Sequence, residues 1–282
     1  EYFPLESTLD GIFKIYEKFL NLDFKKINPD GLWHEDAFAI EIHEKGSGKF
    51  RGYIILDLHP RDNKYSHACN DPVVRGLKKT SYRDERPVLG VIIANFPKAT
   101  KDRPALFKHN DVITFFHEFG HAMHDVFGFA EMDMFSSCEG TKIDFGEMPS
   151  QMFEEWMWDR DMLKLVSSHY ETGKPLSDEL IDKMVELKKF SIGFGIQRQC
   201  CLSTMAFEFF KKGADKNLDA IAERVHNAFT KNVSFDPETH HYASFGHLSE
   251  PDYGSRYYGY MWSKVFALDL FDAVKKHGLL DP

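Results

Sequence analysis

Residues 112–127 constrain the fold of this chain more than any other stretch. Their apolar side chains occupy nearly every side of a helix, a pattern typical of a buried helix. These side chains are Val112, Phe115, Phe116, Phe119, Ala122, Met123, Val126 and Phe127. The same helix carries His117, Glu118, His121 and His124, and an unpartnered polar group in a protein interior costs about 1–3 kcal/mol. The chain is therefore expected to fold around this helix, with Asp111 as its N-cap, and to give its histidines a metal as partner.

The spacing of two of these histidines indicates a zinc site. His117 and His121 are four residues apart, so both imidazoles emerge from one helix face about one turn apart and can bind a single ion. Glu118 lies beside the first ligand, where its carboxylate can act as a base toward a water molecule at the metal. This arrangement favours peptide hydrolysis with one Zn²⁺ per chain. His124 is interpreted as a packing or supporting histidine, because a third ligand more often comes from another element.

The third ligand is expected downstream, where Asp144 and Glu147 are the candidates. We choose Glu147 as the ligand and assign Asp144 to orient a ligating imidazole through its other ring nitrogen. Glu154 and Glu155 are interpreted as part of a solvated helix face.

The remaining pattern predicts a mainly α chain with a small β-sheet before the metal helix. Alternating apolar residues predict three strands within about residues 35–97, and residues 61–86 are expected to form a long irregular loop. Such a sheet offers an edge that a peptide can join. Helical periodicity covers residues 7–22, with Ser7 or Thr8 as cap, and most of residues 111–282, notably 176–190, 199–210 and 217–229.

Charge and composition exclude several classes of protein. The formal net charge of −9 argues against a general nucleic-acid binder, because such proteins need a basic surface. No stretch reaches the roughly 18 consecutive apolar residues of a membrane span. The four cysteines show no CxxC spacing and are expected to be reduced thiols, which favours the cytoplasm, with an organelle matrix as the open alternative. We expect a monomer.

A tyrosine-rich segment at residues 244–262 is the last informative feature. Its three glycines allow the backbone to bend, and its tyrosines and His247 offer hydrogen-bond donors on rigid rings. Such donors can stabilise an oxyanion, although tyrosines at a helix start also commonly serve only in packing.

Together these residues carry a resemblance to a known family. The runs are HEFGHAMH at 117–124, DFGEMPSQ at 144–151, FGHL at 245–248 and YYGYMW at 257–262, supported by EYFP at 1–4, WHED at 33–36 and LDLHPR at 56–61. They resemble the thimet oligopeptidase and neurolysin family of zinc metallopeptidases, which includes bacterial oligopeptidase A, peptidyl-dipeptidases and the mitochondrial intermediate peptidase. The match extends over nearly the whole chain.

The resemblance implies a zincin-like catalytic domain and a role for each matching residue. It implies that His117, His121 and Glu147 bind zinc and that Glu118 is the general base. It places four further side chains on the substrate side, with Tyr260 as the best oxyanion donor: His247, Tyr253, Tyr257 and Tyr260. The spacing from His247 to Tyr253 is one residue longer than in the family pattern.

The resemblance also implies that residues 1–282 are the catalytic region of a longer protein. The family's large N-terminal helical region and final C-terminal segment are expected to be missing from this sequence. The expected activity is endopeptidase cleavage of short peptides. One alternative is a peptidyl-dipeptidase, in which Arg256 would hold the substrate carboxylate. Another is a noncatalytic zinc-stabilised binding module, which has no use for a base such as Glu118.

Overall fold

The computed structural model of the chain describes residues 1–190, 192–250 and 253–282. Within these residues the chain forms nine α-helices and five strands, which confirms a mainly α fold with a small β-sheet. The helices are α1 (Leu5–Leu20), α2 (His109–Phe127), α3 (Ile143–Gly146), α4 (Met148–Glu154), α5 (Arg160–Val166), α6 (Asp178–Phe190), α7 (Ile192–Phe210), α8 (Leu218–Phe229) and α9 (Gly259–His277). The strands are β1 (Leu22–Ile27), β2 (Phe38–Glu44), β3 (Phe50–Asp57), β4 (Cys69–Val74) and β5 (Val88–Ile93).

The five strands form one mixed sheet in the order β1-β2-β3-β5-β4. Strands β1, β2 and β3 pair antiparallel, β3 and β5 pair parallel, and β4 returns antiparallel to β5 at the edge. The inner strands β2, β3 and β5 contribute fully buried apolar residues to the core, such as Ile40, Ile54 and Ile92. Both ends of the sheet are therefore edge strands, and β4 is the edge that packs against α2.

Helix α2 lies in the centre of the hydrophobic core, as its sequence predicts. The side chains of Phe115, Phe116 and Phe119 are fully buried, and burial of each contributes about 1.5–3 kcal/mol. Helix α1 covers part of this surface: the Tyr16 ring packs on Phe116 and Phe119, and its hydroxyl donates to the Phe116 carbonyl at 2.8 Å. The sheet and α4 also pack on α2, so the histidines of this helix are held in a rigid frame.

Two strands were missed by the sequence analysis, which predicted three. Strand β4 lies inside the predicted loop 61–86 and contains Asp71 and Pro72, residues that the middle of a sheet disfavours. As an edge strand β4 tolerates both. Strand β1 carries the adjacent lysines Lys25 and Lys26, and only its first residue, Leu22, is buried. Both strands are edge strands, so their composition lacks the apolar alternation of the inner strands.

The predicted helix starts also need correction. Helix α1 begins at Leu5 after Pro4 and has no side-chain cap, so neither Ser7 nor Thr8 serves as one. Helix α2 begins at His109 rather than after Asp111. Asp111 instead accepts a hydrogen bond from the Lys108 backbone N–H at 2.8 Å, which still satisfies a donor at the helix start.

Two smaller expectations can be compared with the fold. All four cysteines lie among the described residues, and each is a free thiol. Within the same residues, no helix combines the length and the apolar character needed to cross a lipid bilayer.

Candidate functional site

The structure brings the three predicted metal ligands to one point. Nε2 of His117 and Nε2 of His121 lie 3.2 and 3.1 Å from the same oxygen, Oε2 of Glu147. One ligand atom from each residue lies within 4.8 Å of the other two. Among the described residues, no second group of three His, Cys, Asp or Glu side chains converges in this way. These three residues form what we call the metal cluster.

A close contact between two helices places Glu147 opposite the histidines. Gly120 lies between the two histidines on α2, and a Cβ atom there would lie 2.8 Å from Cα of Ser150 on α4. Real Cβ atoms essentially never approach another heavy atom that closely, so only glycine permits this approach. Ser150 in turn donates from its hydroxyl to the Glu147 carbonyl at 2.9 Å and so fixes the residue just before α4. The glycine of the HEFGH run is thus required by packing.

Glu118 lies beside the metal cluster in a buried position. Only 8% of its surface is exposed, and burial raises the pKa of its carboxyl group, although His117 and His121 act in the opposite direction. The backbone amide of Asn70 on β4 also lowers this pKa. The Asn70 side chain donates to Asp125 of α2 at 2.7 Å, which fixes the edge strand across the metal helix. Sequence reasoning did not foresee this contact, because it depends on the missed strand β4.

The two histidines differ at their other ring nitrogen. Nδ1 of His117 lies 2.8 Å from Oε1 of Glu154, whereas Nδ1 of His121 is buried and has no partner among the described residues. The prediction that Asp144 orients an imidazole was therefore wrong, because the described contact of Asp144 is through its backbone carbonyl to Ser263. The view of Glu154 and Glu155 as a solvated face was also wrong. Glu154 follows Glu147 by seven residues, a spacing that returns to the same helix side and was an available signal.

His124 stays outside the metal cluster, as expected. Burial lowers its pKa to about 4, with His121 acting in the same direction, so the ring is neutral near pH 7. Several scattered histidines serve in local structure instead: His43 bonds Glu41, His59 bonds the Phe96 carbonyl and His109 bonds the Met157 carbonyl. None of these belongs to the metal cluster.

The tyrosine-rich segment reaches the metal cluster through Tyr253. Its hydroxyl donates to Oε1 of Glu147 at 2.5 Å, on the carboxylate oxygen that does not face the histidines. Burial and the Glu147 charge raise the Tyr253 pKa far above its ordinary value of 10.0, so the phenol stays protonated and can donate. Tyr253 was predicted to bind substrate, and the structure places its hydroxyl on Glu147. Pro251 and Asp252 of this segment lie outside the described residues.

Tyr260 and His247 form a second polar pair next to Tyr253. The Tyr260 ring stacks on the Tyr253 ring with centroids 5.3 Å apart and an angle of 10° between their planes. Its hydroxyl oxygen lies 3.0 Å from Nε2 of His247. Burial raises the pKa of Tyr260 and lowers that of His247, so near pH 7 the pair consists of a protonated phenol and a neutral imidazole. This is an uncharged source of hydrogen bonds close to the metal cluster.

Two further predicted residues take different positions. Tyr257 is buried with Leu202 and Ala206 of α7, and its ring contacts those of His247 and Tyr260. Arg256 is exposed in the short helical turn Gly254–Arg256. Tyr257 thus supports the His247 and Tyr260 rings from behind.

Comparison with known proteins identifies one peptidase family along the whole chain. A family model described as Peptidase family M3 matches residues 1–282. The chain is 36% identical over 281 residues to saccharolysin from Saccharomyces cerevisiae, with 96% of this chain and 39% of the relative covered. It is 35% identical over 289 residues to thimet-like oligopeptidase from Dictyostelium discoideum, covering 100% of this chain and 42% of the relative. It is 32% identical over 285 residues to oligopeptidase A from Escherichia coli, covering 99% and 41%. The chain therefore spans about two fifths of the length of these curated relatives.

Proposed function

This chain belongs to peptidase family M3, and from that premise we propose that it is the catalytic region of a zinc-dependent oligopeptidase. Its reaction is the hydrolysis of bonds within short peptides. The observation that carries this proposal is the convergence of His117, His121 and Glu147 beside the buried carboxylate of Glu118. The names of the three relatives, two of which are oligopeptidases, support the same substrate class.

The donor atoms of the metal cluster fit one zinc ion. Two imidazole nitrogens and one carboxylate oxygen are the three-ligand set of many catalytic zinc sites, which leave the fourth position for water or substrate. The residues supply these atoms at one point, and the carboxylate among them is buried. A purely structural zinc site would more often fill all four positions with protein ligands. A bound zinc ion would supply Lewis acidity that polarises the scissile carbonyl and makes water more acidic.

Glu118 is proposed to move the proton. Its carboxylate takes a proton from the attacking water and then delivers it to the nitrogen of the leaving amine. Burial raises its pKa from the ordinary value of 4.5, which brings a carboxylate closer to the range where a general base works well near neutral pH. The backbone amide of Asn70 acts in the opposite direction and lowers this pKa.

The Tyr260 and His247 pair is proposed to stabilise negative charge on the carbonyl oxygen. A protonated phenol can donate a hydrogen bond where charge develops, and a buried position strengthens it. Tyr253 is proposed to hold Glu147 through its 2.5 Å hydrogen bond, and Tyr257 to support the rings of His247 and Tyr260.

The edge strand β4 is proposed to receive the extended substrate. It is a terminal strand of the sheet, and a peptide can add to such an edge through main-chain hydrogen bonds. Asn70 of β4 donates to Asp125 of α2, so this edge lies against the helix that carries the proposed base. A peptide on β4 would thus pass the metal cluster with its backbone aligned.

Exchange of the base tests the proposed function. Glu118→Gln preserves the size of the side chain but removes the base, so we expect retained zinc and about 10²–10⁴-fold slower cleavage of a quenched fluorescent peptide. Glu131→Gln, a change at an exposed glutamate, is the matched control and should cleave normally. Cleavage by the Glu118 variant at the unaltered rate would contradict the proposal.

Removal of one hydroxyl tests the proposed oxyanion donor. Tyr260→Phe should lower kcat by about 100-fold and change KM much less, because the hydrogen bond forms mainly in the transition state. Steady-state kinetics with one peptide series provides the measurement. A raised KM with unchanged kcat would make Tyr260 a substrate-binding residue instead.

A further inference from the structure

An ion network behind the metal cluster connects α4 with α6 and α9. Glu154 of α4 uses Oε1 for Nδ1 of His117 and Oε2 for Nζ of Lys264, at 2.8 and 3.2 Å. Lys264 of α9 also donates to Oε1 of Glu155 at 3.0 Å. The other oxygen of Glu155 accepts from Lys188 of α6. Apart from His117, the proposed mechanism uses none of the side chains in this network.

The first contact of this network fixes how His117 presents its ring. A carboxylate accepts hydrogen bonds, so Glu154 holds the proton on Nδ1 and leaves the lone pair on Nε2. Nε2 is the atom that points to Oε2 of Glu147 at 3.2 Å. Zinc-binding histidines commonly need such a partner to fix their ring and raise their basicity. His121 lacks such a partner among the described residues, so His117 is the proposed zinc ligand whose ring is fixed by a carboxylate.

The second contact explains how Glu154 keeps its position. Burial opposes the charge of Lys264, but Glu154 and Glu155 outweigh this and raise its pKa, so the ammonium persists between the two carboxylates. Lys264 follows Tyr260 by four residues, so both project from one side of α9. One face of α9 thus holds both the proposed oxyanion donor and the cation behind the metal ligand.

We propose that Glu154 is a positioning residue for His117 and that Lys264 holds Glu154 in place, so that the packing of α9 on α4 sets the zinc affinity of the metal cluster. This inference rests on the proposed zinc site. It assigns α9 a double role: the helix that brings Tyr260 to the substrate also stabilises the zinc ligand. Zinc affinity should consequently depend on a residue that touches neither the metal nor its ligands.

Zinc affinity of purified variants tests this coupling without relying on catalysis. Competition with a chromophoric zinc chelator should show about 10–100-fold weaker binding for Glu154→Gln, the range observed for partners of zinc ligands. Lys264→Met should weaken binding several-fold, and Lys264→Arg should restore most of it. Lys275→Met, which removes an exposed lysine of the same helix paired with Asp159, should bind zinc normally.

A variant elsewhere in the ion network separates an effect on stability from an effect on zinc binding. Glu155→Gln removes a buried carboxylate from the same network but leaves the bond between Glu154 and His117. This variant should therefore have a lower melting temperature and a nearly unchanged zinc affinity. Zinc affinity of Glu154→Gln equal to that of the unaltered chain, with unchanged circular dichroism, would overturn the inference. Failure of the unaltered chain to bind zinc would instead contradict the proposed function itself.

Discussion

Two polar clusters in this molecule, each centred on a buried carboxylate, are built in opposite ways. The Asp57 cluster, made of Asp57, Arg61, Lys64 and Trp33, lies at the end of β3. Arg61 and Lys64 donate to Oδ1 of Asp57, and Arg61 and Trp33 donate to Oδ2, each at 2.8 Å. Lys64 donates further to the backbone carbonyls of Asp57, His59 and Ala94. Each carboxylate oxygen of Asp57 thus accepts two hydrogen bonds, and the charge of Asp57 is paired with two cations.

The metal cluster is also centred on a buried carboxylate, but its polar atoms do not all have partners among the described residues. Glu147 is 4% exposed and Asp57 is 1% exposed. Oε2 of Glu147, however, faces two imidazole nitrogens that can serve as lone-pair donors, and Nδ1 of His121 has no partner among the described residues. A cluster completed by its own cations is a structural element, whereas ligand atoms converging on one point favour an added cation.

Loss of the proposed third ligand should have the largest effect and should act on the metal cluster alone. Glu147→Gln removes the carboxylate charge, so zinc affinity should fall by more than the about 10–100-fold expected for a supporting residue, and peptide cleavage should be nearly lost. Chelator competition measures the affinity. Glu186→Gln at an exposed position of α6 is the control. Near-normal zinc affinity of the Glu147 variant would show that Glu147 is not a zinc ligand.

Loss of the central carboxylate of the Asp57 cluster should act on stability alone. Asp57→Asn leaves the buried Lys64 without its charge partner, which should lower the free energy of unfolding by about 3 kcal/mol. Zinc affinity should stay unchanged. Denaturant unfolding gives the stability, and Asp84→Asn, in an exposed pair with Lys79, should change it by less than about 1 kcal/mol.

The pKa of Asp57 predicts how the stability difference between the unaltered chain and Asp57→Asn depends on pH. Burial opposes ionisation, but bonds from Arg61, Lys64 and Trp33 outweigh it and hold the folded-state pKa well below the ordinary value of 3.8. The ionised form thus contributes its full stability above that value and loses it as the pH falls toward the folded-state pKa. The difference between the unaltered chain and Asp57→Asn should shrink below about pH 4. A difference that grows on acidification would contradict the assignment.

A smaller change should link packing to the metal cluster. Gly120→Ala would place a Cβ 2.8 Å from Cα of Ser150, so α4 must move away from α2 and take Glu147 with it. We expect about 1–3 kcal/mol lower stability from overpacking and zinc affinity lower by about tenfold. Gly193→Ala on α7 is the control, since a Cβ there meets no atom within 4 Å. Unchanged zinc affinity in the Gly120 variant would show that Glu147 does not depend on this contact.

The sequence predicted those parts of the site whose residues follow a local period. His117 and His121 share a helix face because they are four residues apart, and the apolar residues around them predicted burial. No spacing rule distinguishes Glu147 from Asp144 as the third ligand, yet the Glu147 carboxylate reaches both imidazoles. The resemblance of several ordered motifs implied the same ligands and base, and it singled out Tyr260 as the best oxyanion donor.

The parts that could not be predicted depend on contacts between distant elements. Glu154 faces His117 only because α4 packs on α2, and Lys264 reaches Glu154 from a helix 110 residues away in sequence. Asn70 lies next to Glu118 because an edge strand with an atypical composition pairs with β5. Edge strands can carry charges and proline, so the apolar alternation that identifies inner strands is absent from them.

Native mass spectrometry of the protein titrated with zinc tests the central claim most directly. The unaltered protein should bind one zinc ion per chain, whereas His121→Ala should bind none under the same conditions, because two donors hold zinc far less tightly than three. His124→Ala, which removes a neighbouring histidine outside the metal cluster, should still bind one ion. Zinc retained at one ion per chain by His121→Ala, or absent from the unaltered protein, would contradict the account.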